Sequence, residues 1–351
     1  MRVLATGFSF FLWSFTALGF PVLPLWTTPQ NPCYLQHVPE VLARAKEEVL
    51  VALSDLRAYE EGTSEPLLST LCTLAKAGVA IYVLVERGNR PLAPEQERAV
   101  TRLRLAGAKV QEDPVEITLH AKFLVVDCYW VIVGSTHWTK TALTASIQVD
   151  LALAEPTLAA TFRRFFFYLW EGKLTTQTQL PGKPWPEAAA IPVLDFPETR
   201  THFNVIQFML ECAQTEILVL LYQLTFYPGY PDSPSTVLIQ TLARAAQRGV
   251  RVQILLEGGE TDQSLADSNR LSAAWLTSQG VEVRFDSAQT TMHAKCLVVD
   301  GRHVLVSSAN WNYSSLAKNV EAGLALLGTP ELGHLLAAYF DELWRGSFPL
   351  R

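Results

Sequence analysis

Basic charge is in short supply in this chain of 351 residues. Its 28 lysines and arginines stand against 34 acidic residues, for a net charge of −6. Proteins that hold nucleic acid without sequence preference displace counterions with a basic surface, so the balance weighs against that class. Cysteine is also scarce. There are five (Cys33, Cys72, Cys128, Cys212 and Cys296), an odd number with no C-x-x-C pair. That argues against a zinc module and against a disulfide framework. Cys72, Cys212 and Cys296 lie in apolar runs and read as small core residues.

After Arg2, charge is absent from the start of the chain. Arg2 is followed by no charged residue until Glu40, and residues 3–20 are apolar and aromatic. A basic start, an apolar run and small residues around Ala17-Leu18-Gly19 are the parts of an export signal. A run of this length also borders on what spans a bilayer. Residues 1–25 are therefore expected to form a signal peptide or membrane anchor, placing the protein outside the cytoplasm or on a membrane. Residues 21–39, rich in Pro, Thr, Gln and Asn, read as a linker.

The chain as a whole is 49% apolar and 18% charged, which suits a large core. It is also duplicated. His120-Ala121-Lys122-Phe123-Leu124-Val125-Val126-Asp127, followed by Gly134-Ser135, returns as His293-Ala294-Lys295-Cys296-Leu297-Val298-Val299-Asp300, followed by Ser307-Ser308-Ala309-Asn310. The histidines are 173 positions apart, as are Gly107 and Gly280; Gly78 and Gly249 are 171 apart. So long a period means a duplicated domain and not a solenoid. Each half reads helix, strand, helix, strand, helix, strand, then the motif strand and its hairpin partner. Gly78 and Gly249 stand where helices end. Residues 157–171 and 330–344 have helical patterns.

The motif segments read as strands, where residues i and i+2 share a face. His120 and Lys122 therefore project together, as do His293 and Lys295, while Phe123 and Cys296 point into the layer behind. A lysine on an apolar strand carries a desolvation cost that packing alone does not explain, and here the arrangement occurs twice.

Two H-x-K-x4-D motifs with these G-S and S-S-x-N elements resemble the phospholipase D superfamily, over most of the chain after about residue 39. The resemblance implies an α/β fold of two homologous domains, each a mixed sheet with helices on both faces. The domains, residues 36–175 and 198–351 about a linker at 176–197, would be related by a pseudo-two-fold axis with one site between them. It implies phosphodiester cleavage through a phosphohistidine, with His120 as nucleophile and His293 as acid and base. The sequence alone does not order the two histidines. Lys122 and Lys295 would supply the positive charge, so no metal or cofactor is expected. With both motifs in one chain, a monomer is expected.

A histidine in this role needs a carboxylate to fix its tautomer. Asp127 and Asp300 lie on the face opposite their own histidines and suit backbone bonding. The family places an orienting acid in an N-x-E element. Asn319-Val320-Glu321 matches it, and Gln148-Val149-Asp150 is the first-half variant, making Glu321 and Asp150 the orienting candidates. Ser135, Ser308 and Asn310 are candidates for a phosphate cradle. His137 stands where the second half has Asn310. The loop Tyr222-Gln223-Leu224-Thr225-Phe226-Tyr227-Pro228-Gly229-Tyr230-Pro231 suits acyl chains, a membrane interface, stacked bases or its own packing. Arg87 and Arg90 suit an anionic headgroup or a nucleic-acid strand. The acidic Glu257-Gly258-Gly259-Glu260 would repel a polyanion. The expected substrate is a phospholipid at a membrane surface, hydrolysed or transferred. A nuclease of the same superfamily and a non-catalytic phosphate-binding module are the alternatives.

Overall fold

The computed structural model describes residues 14–15, 18–88, 91–173, 188–259, 262–287 and 289–350. The principal strands of the first half are β1 Pro21–Thr28, β2 Glu48–Leu53, β3 Ala80–Val85, β4 Lys109–Glu112, β5 Lys122–Val126, β6 Trp130–Gly134 and β7 Ser146–Ala154. Those of the second are β8 Ala189–Asp195, β9 Glu216–Leu221, β10 Arg251–Leu256, β11 Glu282–Phe285, β12 Lys295–Val299, β13 His303–Ser307 and β14 Glu321–Leu327. The helices are α1 Cys33–Leu42, α2 Glu65–Lys76, α3 Pro94–Leu105, α4 Lys140–Thr144 and α5 Pro156–Trp170. Their counterparts are α6 Thr201–Cys212, α7 Pro234–Gln247, α8 Gln263–Ser278, α9 Tyr313–Ala317 and α10 Pro330–Arg345.

The two sheets have the same order, β1-β7-β6-β5-β2-β3-β4 and β8-β14-β13-β12-β9-β10-β11. In each, the pairs around β3 or β10 are parallel and the rest antiparallel, a mixed sheet. Period-two alternation on the motif strand sorts its side chains between layers. Leu124 and Val126 pack outward with α1, α2 and α3, among Val38, Leu68 and Leu103. The second half repeats this with Leu297, Val205, Leu242 and Leu276. Phe123 and Val125 face inward. There they share one core with Cys296 and Val298 of the other motif strand, Phe162 and Phe166 of α5, and Leu336 and Phe340 of α10. Each such side chain contributes about 1.5–3 kcal/mol on burial. The halves therefore share an interior, and are not two beads on a string.

Two linker readings need correction. Residues 21–39 hold β1 and most of α1, and β1 pairs antiparallel with β7 from Val22↔Leu153 to Thr27↔Gln148. Pro21 and Pro24 are tolerated because β1 lies near the sheet margin, where a missing N–H is least costly. Likewise β8 occupies the end of the expected second linker and pairs with β14 from Ala189↔Leu327 to Asp195↔Glu321. Each sheet thus begins before the expected domain start. Cys212 is exposed, whereas Cys72 and Cys296 are buried as read. Most of the apolar N-terminal run, residues 1–13 and 16–17, lies outside the described residues. Among the described residues no helix is long and apolar enough to cross a membrane.

Candidate active site

The two motif strands bring their histidines together where the sheets meet. Short cross-half contacts hold the register. Thr291 and Met292 pair with Ser146 and Ile147 of β7, and the His293 N–H donates to Ile147 O at 2.9 Å. In mirror fashion the His120 N–H donates to Val320 O at 2.9 Å.

Each imidazole is oriented by the opposite half. His120 Nδ1 lies 2.9 Å from both Glu321 oxygens, and His293 Nδ1 lies 3.1 Å from Gln148 Oε1. An acceptor at Nδ1 fixes the proton there and leaves the lone pair on Nε2. Glu321 is fully buried. Burial alone would raise its pKa, but His120 and Lys122 pull it down to about 2.

Asp150 therefore does not orient His293. It is buried and accepts from the Thr136 N–H at 3.1 Å and the Thr136 hydroxyl at 2.5 Å, with its pKa raised by burial to about 6. The match to Asn319-Val320-Glu321 at the histidines' own spacing of 173 is Ser146-Ile147-Gln148. Likeness between Asp and Glu favoured a register two residues too far along. Holding the offset constant finds Gln148.

The serines also differ from expectation. Ser135 Oγ donates to Gln148 Oε1 at 2.7 Å, and Ser308 Oγ donates to Glu321 Oε2 at 2.5 Å. Each hydroxyl accepts a backbone N–H as well, from Val149 and Ala322. In this structure the two hydroxyls are directed at the orienting residues, with Ser135 Oγ also 3.2 Å from Val149 O. Asn310 is buried with its Oδ1 unpartnered. His137 is a third imidazole in the site, its ring 5.2 Å from that of His293 and 6.1 Å from that of His120, with Nδ1 3.1 Å from Ser54 Oγ.

Lys122 and Lys295 are each 2% exposed. Each ammonium group donates to a backbone carbonyl, His120 O at 2.5 Å and His293 O at 2.7 Å, and Lys295 Nζ lies 5.1 Å from the Tyr222 ring centre. Burial lowers Lys122 to about 7 and Lys295 well below its ordinary value. All three imidazoles are also held low, first by burial. The cluster is short of negative charge, and a bound phosphodiester would supply it.

The motif aspartates lie away from the imidazoles. Asp127 accepts from the N–H groups of Lys46, Glu47 and Glu48 at 2.8–3.0 Å. Asp300 does the same for Gln214, Thr215 and Glu216. Both sit at positive φ, 51° and 52°, in the tight hairpin turns that follow the motif strands.

Two carboxyl pairs escaped the sequence reading. Glu86 and Asp113 both accept from the Leu119 N–H, at 2.5 and 3.1 Å. Glu257 accepts from Met292 N at 2.6 Å, beside Asp286 on Gly258 N at 2.9 Å. Each pair anchors the residue before a motif histidine. Burial and the partner carboxyl raise Glu86 and Asp286 to about 8, so each pair holds a proton at neutral pH. Their recurrence in both halves was the available signal. Glu257 is buried, so its charge does not face a strand, and that argument against a polyanion lapses. Arg87 is largely exposed and 4.0 Å from Glu112; Arg90 and Glu260 lie outside the described residues.

A family model described as "Cardiolipin synthase, PLD-like domain" matches residues 38–170 and 206–344. The mitochondrial cardiolipin hydrolase of Chlamydomonas reinhardtii is 26% identical over 140 residues, covering 40% of this chain and 61% of that protein. Cardiolipin synthase B of Shigella flexneri is 23% identical over 319 residues, covering 84% of this chain and 74% of its own. Among solved structures, the phosphatidylserine synthase of Haemophilus influenzae Rd KW20 aligns with a TM-score of 0.73 at 16% identity, over 93% of this chain and 87% of that one. At that identity the likeness shows the fold.

Proposed function

Because the chain belongs to the phospholipase D superfamily, with a family model matching both halves, we propose that it cleaves phospholipid phosphodiesters and passes the phosphatidyl group to water or an alcohol. The observation that carries this is the crossed pairing of His120 with Glu321 and His293 with Gln148 around two buried lysines. His120 Nε2 attacks phosphorus, and the bond to the leaving oxygen breaks as protonated His293 gives that oxygen its proton. The Glu321 carboxylate offsets the positive charge on the phosphorylated imidazole. Neutral His293 then takes a proton from water or an acceptor alcohol, whose oxygen attacks phosphorus and breaks the P–N bond. Gln148 carries no charge, so it leaves the His293 imidazolium a readier donor than a carboxylate would. Lys122 and Lys295 neutralise the non-bridging oxygens as charge builds.

The two relatives above are named for cardiolipin and its synthesis or hydrolysis, and the synthase match spans 84% of this chain, which supports a lipid diester over a nucleic acid. Export or anchoring by the part of the expected segment that precedes β1 fits a membrane substrate, and cleavage after Gly19 would leave β1 whole.

A bis(p-nitrophenyl) diester tests the chemistry, because its leaving group needs no proton. His293→Ala should release about one equivalent of p-nitrophenol and stall, and His120→Ala should give no burst. The reverse pattern exchanges the roles. No burst from either, with wild type active, removes the covalent intermediate. Assay on phosphatidylglycerol with and without added glycerol then separates hydrolysis from transfer.

A further inference from the structure

The duplication provides an internal control for surface residues. Where the two halves build the same backbone from different side chains, the fold does not demand those side chains. The correspondence is structural as well as sequential. Gln96 of α3 and Asn269 of α8 donate to the carbonyls of Glu86 and Glu257. Thr139 and Asn312 cap α4 and α9. The turns closing Gly62 N to Tyr59 O and Tyr230 N to Tyr227 O are equivalent, at 3.1 and 2.9 Å.

In that register the second half carries Tyr230, Leu271 and Tyr313 where the first has Gly62, Arg98 and Lys140. Tyr230, Leu271 and Tyr313 are 71%, 50% and 40% exposed. Contacts beneath them join the loop, α8 and α9. Tyr313 N–H donates to Tyr227 Oη at 3.4 Å, and Trp275, one turn beyond Leu271, stacks on Phe226 at 4.8 Å. The first-half positions are ordinary charged surface, with Arg98 paired to Glu95 and Lys140 to Glu61.

The patch is tied to the chemistry at its base. The loop that carries Tyr230 leaves β9 at Tyr222, whose ring lies 4.9 Å from that of His293. Among the described residues the patch offers no basic stripe for a polyanion. Lys318 lies over the Tyr313 ring at 5.3 Å, and Arg270 pairs with Asp267 at 3.6 Å. Tyrosines with an apolar neighbour and a flanking lysine are the side chains that settle at a membrane–water boundary.

We propose that Tyr230, Leu271 and Tyr313 form a bilayer-docking platform. They enter the boundary between headgroups and acyl chains and hold the His120/His293 site level with the diester it cleaves. This rests on the phospholipid reading above.

Hydroxyl-radical footprinting of the full chain, with and without phosphatidylcholine vesicles, tests it locally, whatever the N-terminal segment contributes to binding. Oxidation of Tyr230, Leu271 and Tyr313 should slow at least threefold on vesicles, while Leu105, 84% exposed in the first half, keeps its rate. Unchanged rates at the three residues on vesicle-bound protein overturn the proposal, as does failure to bind vesicles. So does protection by single-stranded DNA in place of vesicles, or protection that instead follows protein concentration and marks a contact between copies. A variant carrying the first-half residues, Tyr230→Gly with Leu271→Arg and Tyr313→Lys, should turn over the soluble diester within twofold of wild type and vesicle-borne lipid at least tenfold more slowly. Equal turnover of both substrates by variant and wild type also overturns it. A wild type inactive on the soluble diester would remove the proposed chemistry and leave the footprint to decide docking.

Discussion

At the scale of single residues, the site depends on which side chain backs each imidazole. Glu321→Gln keeps an acceptor at His120 Nδ1 but removes the charge that stabilises the cation. Turnover should fall by roughly 10²–10⁴-fold, as in other histidines stripped of their carboxylate, and single-turnover rates on the p-nitrophenyl diester would show it. Gln148→Glu should act on pH. A carboxylate beside His293 raises its pKa, so the fall in kcat/KM caused by loss of the His293 proton should move to higher pH. An unmoved fall would mean that His293 does not titrate in that range. The lysines act on the same side of the profile. Lys122 is held to about 7 by burial, and its charged form is the one that meets phosphate. Hence kcat/KM should decline as pH rises through that region, far below the ordinary lysine range. Lys122→Met should cost about 10²-fold or more by loss of a transition-state contact, with thermal unfolding nearly unchanged; an unfolded variant would make the lysine structural. The His/Lys pairs were legible in the sequence because they recur. The serine roles were not, since a hydroxyl's choice of acceptor depends on residues 13 positions away across a hairpin.

At the scale of elements, the motif aspartates knit the strands that display the histidines. Asp300 gathers three backbone N–H groups, and although burial opposes it, these bonds hold its pKa below the ordinary value. A depressed carboxylate contributes stability at pH values above its unfolded pKa of about 4 and loses it as pH falls through the folded value. Asp300→Ala should cost about 1–3 kcal/mol at pH 7 through the stranded donors, and urea unfolding should show the deficit shrinking at acid pH. Gly333 of α10 tests the same hairpin turn from outside. A Cβ there would stand 2.2 Å from Gly301 O, so Gly333→Ala should lower stability by about 1–3 kcal/mol through overpacking. The hairpin strands and the helices after them were readable from apolar runs and glycine stops. β1 and β8 were not. Their Pro and Thr content resembles a linker, and only pairing with β7 and β14 makes them strands.

At the scale of the molecule, the two halves complete each other. The carboxylate for His120 comes from the second half and the amide for His293 from the first. The core between the sheets is drawn from both. Residues 1–173 and 188–351 expressed separately should each expose that core and give no burst, and co-expression should restore turnover. Activity in either half alone would show that a single motif suffices.

The sequence by itself determined the duplication, the mixed α/β layering and the pairing of each histidine with a lysine, because strand and helix periods and a constant offset are properties of position along the chain. Tertiary structure alone decided that the orienting groups cross between halves, that Gln148 and not Asp150 reaches His293, and that the serines bond to those groups. It also decided that the loop after β9 meets α8 through Phe226 and Trp275 and α9 through Tyr227 and Tyr313. These are distances across a sheet junction between residues up to 201 positions apart, and a hydrogen bond is set by geometry of a few tenths of an ångström that no linear pattern records.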